Sequence, residues 1–552
     1  ANTAGYGGAV ANDTYGKIEN LSADFTNNSA TKAGGAVYNL GSIKTIGGSF
    51  TANKASGEDT SGGAIANVGT IEEINSNFES NSSDGIGGAI VNTGIINSIS
   101  GKFKNNTAKT GGGAIVTFDV TSEGNTSTAN LKEIKNSEFT GNSATGKDSA
   151  GGALLANQTV NKLAVNSSKF NSNKADKGGA IGNIGLLDVA NSTFTNNSAK
   201  EGGAIGNSGT MNISGSSFTG NTAERGGAIA NFGTMNINSS TFSSNKSEGE
   251  IVIDSEKAGN SVIPNGGAIT SKGSLTINNS TFTNNSNNIT VKDDDKEAVE
   301  VIQSAIGGGA LLVSDTATIT NSSFAGNSTN YSGGAILTNG STKLSVNNGA
   351  FSNNSAGING GAISAGADNV AASILAPTAN VEIKDTDFAN NTAGKYGGAI
   401  YYSNGNTNTT DNPTLTINAQ KQDVVFTNNK AEKGGDIYLN NSTANLNASS
   451  GKQIVFNSGV AGNGTINTTG AIVLNSEITP DGGNLLVNAG ENSTIKASVD
   501  EYINGIDLTL GNGATLDLMN GKLGVAKFNN LTSNGGNVKI DMDLSRDDQI
   551  AD

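Results

Sequence analysis

The chain writes nearly the same sentence over and over. "GGAIGNSGTMNISGSSFTGNTAER", residues 202–225, runs directly into "GGAIANFGTMNINSSTFSSNK". Gly-Gly-Ala begins at positions 7, 34, 62, 87, 112, 151, 178, 202, 226, 266, 308, 333, 360 and 397, with a variant Gly-Gly-Asp-Ile at 434. A second landmark, Phe-x-x-Asn, alternates with it, as at Phe25, Phe50, Phe103, Phe324 and Phe426. From one Gly pair to the next the shortest step is 24 residues, Gly202 to Gly226. That is too short for a two-helix repeat of about 34 residues. The segments between bends, such as "TMNIS" and "SLTIN", are strand-length and alternate apolar with polar residues. Three short strands and three bends account for one coil.

Stacked coils of this kind make an all-β, right-handed parallel β-helix, a single long solenoid of about twenty coils spaced about 4.8 Å apart. Such a stack implies a rod on the order of 90 to 100 Å. The right hand extrapolates the preference of parallel crossover connections. Composition agrees: 77 Gly among 552 residues, with abundant Asn, Ser and Thr, is poor in helix formers, and only 4 Pro interrupt the chain.

Within Gly-Gly-Ala-Ile-x-Asn, the residue after Ile varies (Tyr38, Ala66, Val91, Gly182, Ala230, Leu337) and is expected to face solvent. Its neighbours then face inward. Ile181, Ile205 and Ile229 form one axial column, Phe194, Phe218 and Phe242 a second, and Ile213, Ile237 and Ile277 a third. Burying each Phe contributes about 2 to 3 kcal/mol, against about 1 to 2 kcal/mol of backbone entropy per ordered residue. Asn39, Asn67, Asn92, Asn183, Asn207 and Asn231 recur before a Gly-containing bend. An amide there can donate to one neighbouring coil and accept from the other, forming a structural ladder. The frequent Asn-x-Ser/Thr triplets are read as the same bend chemistry.

Insertions mark surface features. Residues 246–265 and 286–307 lengthen consecutive coils between Phe and Gly-Gly; 117–130, 365–380 and 401–420 lengthen others between Gly-Gly and Phe. The first two leave from one corner as solvated acidic loops or as a ligand-contacting lobe. Their partner-contact candidates are Ile251, Ile253, Asp293, Asp294, Asp295, Val299 and Ile302. The three consecutive aspartates lack the alternating spacing of a calcium loop, so no metal is expected there. Regular repeats occupy residues 1–440; a less regular continuation of the helix fills 441–552.

The chain has no Cys and no His, which removes disulfides, thiolate sites and the commonest general base, and neither metal nor organic cofactor is expected. A net charge of −15 opposes binding to nucleic acid. No leader opens the sequence and no 18-residue apolar run occurs, so a soluble segment of an exported protein is expected, with no direct membrane insertion.

Gly-Gly-Ala-Ile alternating with Phe-Thr-Asn-Asn over residues 7–430 resembles the passenger domains of chlamydial polymorphic outer-membrane proteins and related bacterial autotransporters. The terminal "FNNLTSNGGNVKIDMDLSRDDQIAD" is similar to the junction that precedes the membrane barrel of such passengers. The cysteines common in chlamydial members are absent. The resemblance implies a β-helical passenger carried to the cell surface through an outer-membrane barrel, commonly an adhesin associated with virulence. The expected partners are a protein or glycan on a host or neighbouring cell, or copies of the chain itself. A subunit of a surface layer or fibre is the alternative, and a polysaccharide-active enzyme a third. The latter is disfavoured by the absence of Trp and His.

Overall fold

The computed structural model describes residues 2–57, 59–122, 125–252, 265–292, 306–339, 342–366, 379–404, 413–497, 503–519, 521 and 526–541. Among these residues the regular structure is all strand. Contacts group the chain into two compact units, Ala1–Gly249 with Asn265–Ile289, and Glu250–Pro264 with Thr290–Asp552. Each is a parallel β-helix.

In the first unit, the coil 202–225 carries strands Ile205–Asn207, Thr210–Ser214 and Ser217–Thr219, and a further short one, Thr222–Arg225. The three expected strands are therefore joined by a fourth segment that builds its own narrow sheet. Each strand pairs in parallel with its copy one coil on: Ile205 with Ile229, Met211 with Met235, Phe218 with Phe242. Because the register shift is zero, identical side chains stack. Phe25 to Phe282 form an unbroken file with ring centroids 4.6 to 4.9 Å apart, including Phe194, Phe218 and Phe242. Ile181, Ile205 and Ile229 are fully buried, as are Ile213, Ile237 and Ile277. The insertion at 117–130 holds a small antiparallel pair, Val120–Ser122 with Asn125–Ser127.

Polar ladders close the bends. Asn39 Nδ2 donates to Asn67 Oδ1 and Asn67 Nδ2 to Asn92 Oδ1, each at 2.8 Å. Asn183 donates to Asn207 at 2.7 Å and Asn207 to Asn231 at 2.8 Å. Between these runs Asn92 donates to Thr117, whose hydroxyl donates to Gln158. Ala156 occupies the ladder register before Asn183, leaving Asn183 Oδ1 buried without a donor. A second ladder is made by the Asn of Phe-x-x-Asn: Asn197 Nδ2 and its backbone N–H both donate to Asn221 Oδ1 at 3.0 Å, and Asn197 Nδ2 also reaches Phe170 O. A third uses the Ser two residues before Phe: the N–H of Ser192 donates to Ser216 Oγ, and Ser192 Oγ donates to Ala190 O.

The variable residue after Ile does not face solvent, contrary to the expectation from its variability. Ala66, Val91, Ala230 and Leu337 are at most 4% exposed, Gly182 is buried as well, and Tyr38 alone of the six is half-exposed. The Gly pair is the cause. Gly202 adopts φ 66°, and a Cβ on it would lie 2.0 Å from Ile205 O; one on Gly203 would lie 2.0 Å from Gly227 O in the next coil. The chain thus doubles back over the strand it is about to enter, as only glycine allows. A side chain at Gly206 would meet Gly178 N of the preceding coil at 3.1 Å. That returning backbone roofs the variable residue, so both faces of the strand are covered.

The second unit begins with the same coils, for example Leu311–Val313, Thr316–Thr320 and Ser323–Ala325. Its Phe file runs from Phe324 through Phe351, Phe388 and Phe426 to Phe456. The coil form then changes. Ile437–Ala448 is a single 12-residue strand pairing with both Ile400–Ser403 and Thr414–Ala419. Val460–Thr469, Ile478–Ala489 and Asn504–Leu510 continue it in parallel register.

Candidate functional site

Of the contact candidates expected on the two acidic insertions, Ile253, Asp293, Asp294, Asp295, Val299 and Ile302 lie outside the described residues, and Ile251 is described only as strand backbone. The approaches to both insertions are described. Lys246–Val252 and Ser286–Lys292 are neighbours in one parallel sheet. Ser247 Oγ donates to Glu224 O, and Asn287 and Ile289 are buried. The insertion of 365–380 falls mostly on residues outside the description, whereas in 401–420 residues 401–404 and 413–420 are described, including the strand Thr414–Ala419.

The roofed strand supplies a second kind of surface. The residue before each Gly pair lies over the residue after Ile in the next coil. Elsewhere the pair ranges from Ala150 over Gly182 to Gly111 beneath Leu155. At the start of the first unit the two are Tyr6 and Tyr38, with ring centroids 4.8 Å apart and planes 41° apart. Lys32 Nζ sits 5.2 Å from the Tyr6 centroid. Burial, with Tyr6 adding to it, pushes the Tyr38 phenol above its ordinary pKa. These residues edge a groove of about 500 Å³ lined also by Ala66, Val68, Val91, Asp59, Ser61 and Thr93.

In the second unit the same two coil positions hold Tyr396 and Tyr438, with centroids 4.4 Å apart, and Tyr401 stacks 5.9 Å from Tyr438. Tyr396 stays partly exposed, while the other two rings are buried. Tyr401 and Tyr438 are 1% and 7% exposed. Tyr438 Oη donates to Asp481 Oδ2 at 3.0 Å, and Lys433 Nζ bridges Asp481 Oδ1 at 2.6 Å. Lys433 is the main reason that the Asp481 carboxyl is held below the usual range.

Two buried carboxylates complete the polar inventory. Asp436 stands where the other coils have the Ala of Gly-Gly-Ala. It ends the Phe-x-x-Asn ladder, accepting from Asn429 Nδ2 at 2.9 Å and from the Ser458 N–H at 2.7 Å. Burial outweighs these donors and pushes its carboxyl up to about 6. Asp385 Oδ1 accepts the N–H groups of Gln420 and Lys421. These and Gln422 outweigh burial and hold that carboxyl below its ordinary value. Both roles are caps of bends. A shallow groove of about 440 Å³ beside Lys343, Ser345, Glu382 and Thr416 lies on the second unit. Among the described residues no three His, Cys, Asp or Glu side chains converge as a metal site would require. No helix of the described chain is long and apolar enough to cross a membrane.

None of the tyrosine positions stands out in the sequence, because Tyr6, Lys32, Tyr38 and Asp59 come from successive coils and share no motif. The signal that could have found them is an aromatic residue at both roof positions of adjacent coils.

Parallel register, glycine turns and stacked ladders define the class: a parallel β-helical repeat protein. Residues 22–40, 100–117, 191–208 and 385–403 each match the Chlamydia polymorphic membrane protein repeat. Every matched segment runs from a Phe-x-x-Asn into the following Gly-Gly strand, so both landmarks and the bend between them are shared. Comparison with curated proteins and with solved structures gives no match. The chain therefore carries the repeat of polymorphic membrane proteins, which points to an outer-membrane or cell-surface location and a passenger-type architecture.

Proposed function

We propose that the chain is a non-catalytic, adhesive passenger segment displayed on a bacterial surface, exported through an outer-membrane barrel, that contacts a protein or glycan of another cell. The observation that carries this reading is the side-by-side departure of two long insertions from neighbouring strands, Lys246–Val252 and Ser286–Lys292, on an otherwise repetitive scaffold. Regular faces offer the same small polar groups coil after coil; recognition needs shape that differs from its surroundings. The lack of His and Cys supports a contact role over chemistry.

The test is to replace 250–264 and 293–305, singly and together, with the short bend of "FTGNTAERGGAI". Attachment to cells should fall while the circular dichroism of the sheet persists. Attachment that survives the double replacement would favour a structural subunit of a layer or fibre, with contacts spread along the coils. Columns and ladders need no ligand, so a chelator is expected to leave the melting profile unchanged. A clear drop in melting temperature would direct attention to Asp293, Asp294 and Asp295, or to Asp541, Asp543, Asp547 and Asp548. Of these Asp541 alone is described, accepting from the Gly521 N–H at 2.7 Å.

A further inference from the structure

We infer that the groove edged by Tyr6 and Tyr38 in the first unit is a binding site for a short, neutral glycan. The inference deepens the adhesive reading and rests on it for the identity of the bearer, a glycan on an apposed cell.

At the same two roof positions of the second unit Tyr396 is partly exposed, but Tyr438 is buried and its hydroxyl is tied to Asp481, which Lys433 bridges. In the first unit, Tyr6 is 44% exposed and Tyr38 partly exposed, and among the described residues no carboxylate takes a hydrogen bond from either phenol. An aromatic pair held open beside a groove of about 500 Å³ has the size of a small-molecule site. Its chemistry narrows the occupant. The backbone of the lining strands is already used, since Ala66 pairs with Tyr38 on one side and Val91 on the other. A peptide could not add as a strand there, so recognition falls to side chains. Those side chains are the two tyrosine rings and the exposed Val68, with hydroxyl, ammonium and carboxylate groups at Ser61, Thr93, Lys32 and Asp59. A pyranose has the complementary surface: an apolar C–H face that stacks on a ring, edged by hydroxyls that both donate and accept.

Charge selects among glycans. Lys32 is matched by Asp59, so the groove has no excess of positive groups, and the chain as a whole carries −15. Sialylated or sulfated chains would be repelled by that field. A neutral oligosaccharide is not.

The experiment presents the full chain to immobilised neutral galactose- and N-acetylglucosamine-terminated oligosaccharides and to their sialylated and sulfated counterparts. Parent and variants are first checked for equal melting temperature. The parent should retain neutral glycans at least tenfold better than the anionic ones. Tyr6→Ala should lower that binding at least tenfold, and Val68→Arg, which fills the groove from a position 47% exposed, should abolish it. Tyr6→Phe, which keeps the ring, should bind within about twofold of the parent. No retention of neutral glycans overturns the proposal, as does tighter binding of the anionic set, or parental binding by Tyr6→Ala and Val68→Arg. A parallel cell-attachment assay separates the two readings. Parental attachment by both groove variants overturns the glycan site and leaves adhesion standing. Absent attachment by the parent, with glycan binding lost in Tyr6→Ala, overturns adhesion and leaves the site standing.

Discussion

Coil 202–225 and the coils that follow residue 437 reach the same parallel stack by different means. In the first, each bend is closed by a side chain that meets its own copy: Asn207, Ser216 and Asn221 all hydrogen-bond to the same residue type one coil away. In the second, both landmarks are gone and 12-residue strands such as Ile437–Ala448 and Ile478–Ala489 carry the pairing through what had been a bend. Their Asn columns lie on the outside, as in Asn445, Asn467 and Asn488. The register slips where glycines intervene, between Gly462 and Gly464. A buried polar bend demands a repeated amide, because an unpaired group costs about 1 to 3 kcal/mol. A bend absorbed into a strand makes no such demand, so the sequence is free to drift.

The largest expected effect tests the interior that the regular coils depend on. Phe218 stacks on Phe194 at 4.6 Å and on Phe242 at 4.7 Å. Phe218→Ala should cost about 3 to 5 kcal/mol, as emptying an aromatic site does. Phe456 is stacked on Phe426 at 5.0 Å and 25° with no further Phe beyond it, so Phe456→Ala should cost less. Hydrogen exchange should show protection lost around the substituted coil alone, since each coil leans on its neighbours. Loss across a whole unit, or equal costs at the two sites, would break the contrast.

That contrast also explains what could be read without a structure. The period, the Gly pair and Phe-x-x-Asn were enough for the parallel β-helix, because zero register shift turns a sequence period into a spatial column. The burial of Ala66, Val91 and Ala230 was not legible: it depends on backbone from the preceding coil folding over them, and strand alternation alone points them outward. The Ser ladder at Ser192, Ser216 and Ser240 was also hidden, since Ser and Thr are everywhere in this chain. The residues edging the tyrosine groove are assembled from separate coils, and no local pattern announces them.

The second effect lies at the point where the coil form changes. Asp436 titrates at about 6 when folded, above the ordinary carboxylate value, chiefly through burial. Between about pH 4 and 6 the folded chain therefore holds a proton that the unfolded chain has released. Stability there falls as pH rises through that window and is fully present below it. Acidification from pH 7 to 4 should stabilise the segment around 434–459 by about 2 to 3 kcal/mol, and Asp436→Asn should flatten the dependence. Hydrogen exchange of the Ser458 amide against pH reads it directly. An unchanged profile in the variant would show that the ladder end is not the titrating element.

The smallest effect bears most directly on why one half of the pattern is kept and the other drifts. Asn207 is fully buried, donating to Asn231 and accepting from Asn183. Asn207→Ala leaves an amide proton of Asn183 and the carbonyl oxygen of Asn231 facing each other across a methyl group, at an expected cost of about 1 to 3 kcal/mol. Asn467 makes the same two bonds in form, accepting from Asn488 and donating to Asn445 at 3.0 Å, but all three side chains are partly open to water. Water can replace each lost partner there, so Asn467→Ala should shift stability by no more than about 0.5 kcal/mol. Urea unfolding followed by sheet circular dichroism measures both. A cost at Asn467 equal to that at Asn207 would mean that ladders stabilise through stacking of amides regardless of burial, and the drift after residue 437 would then need another cause.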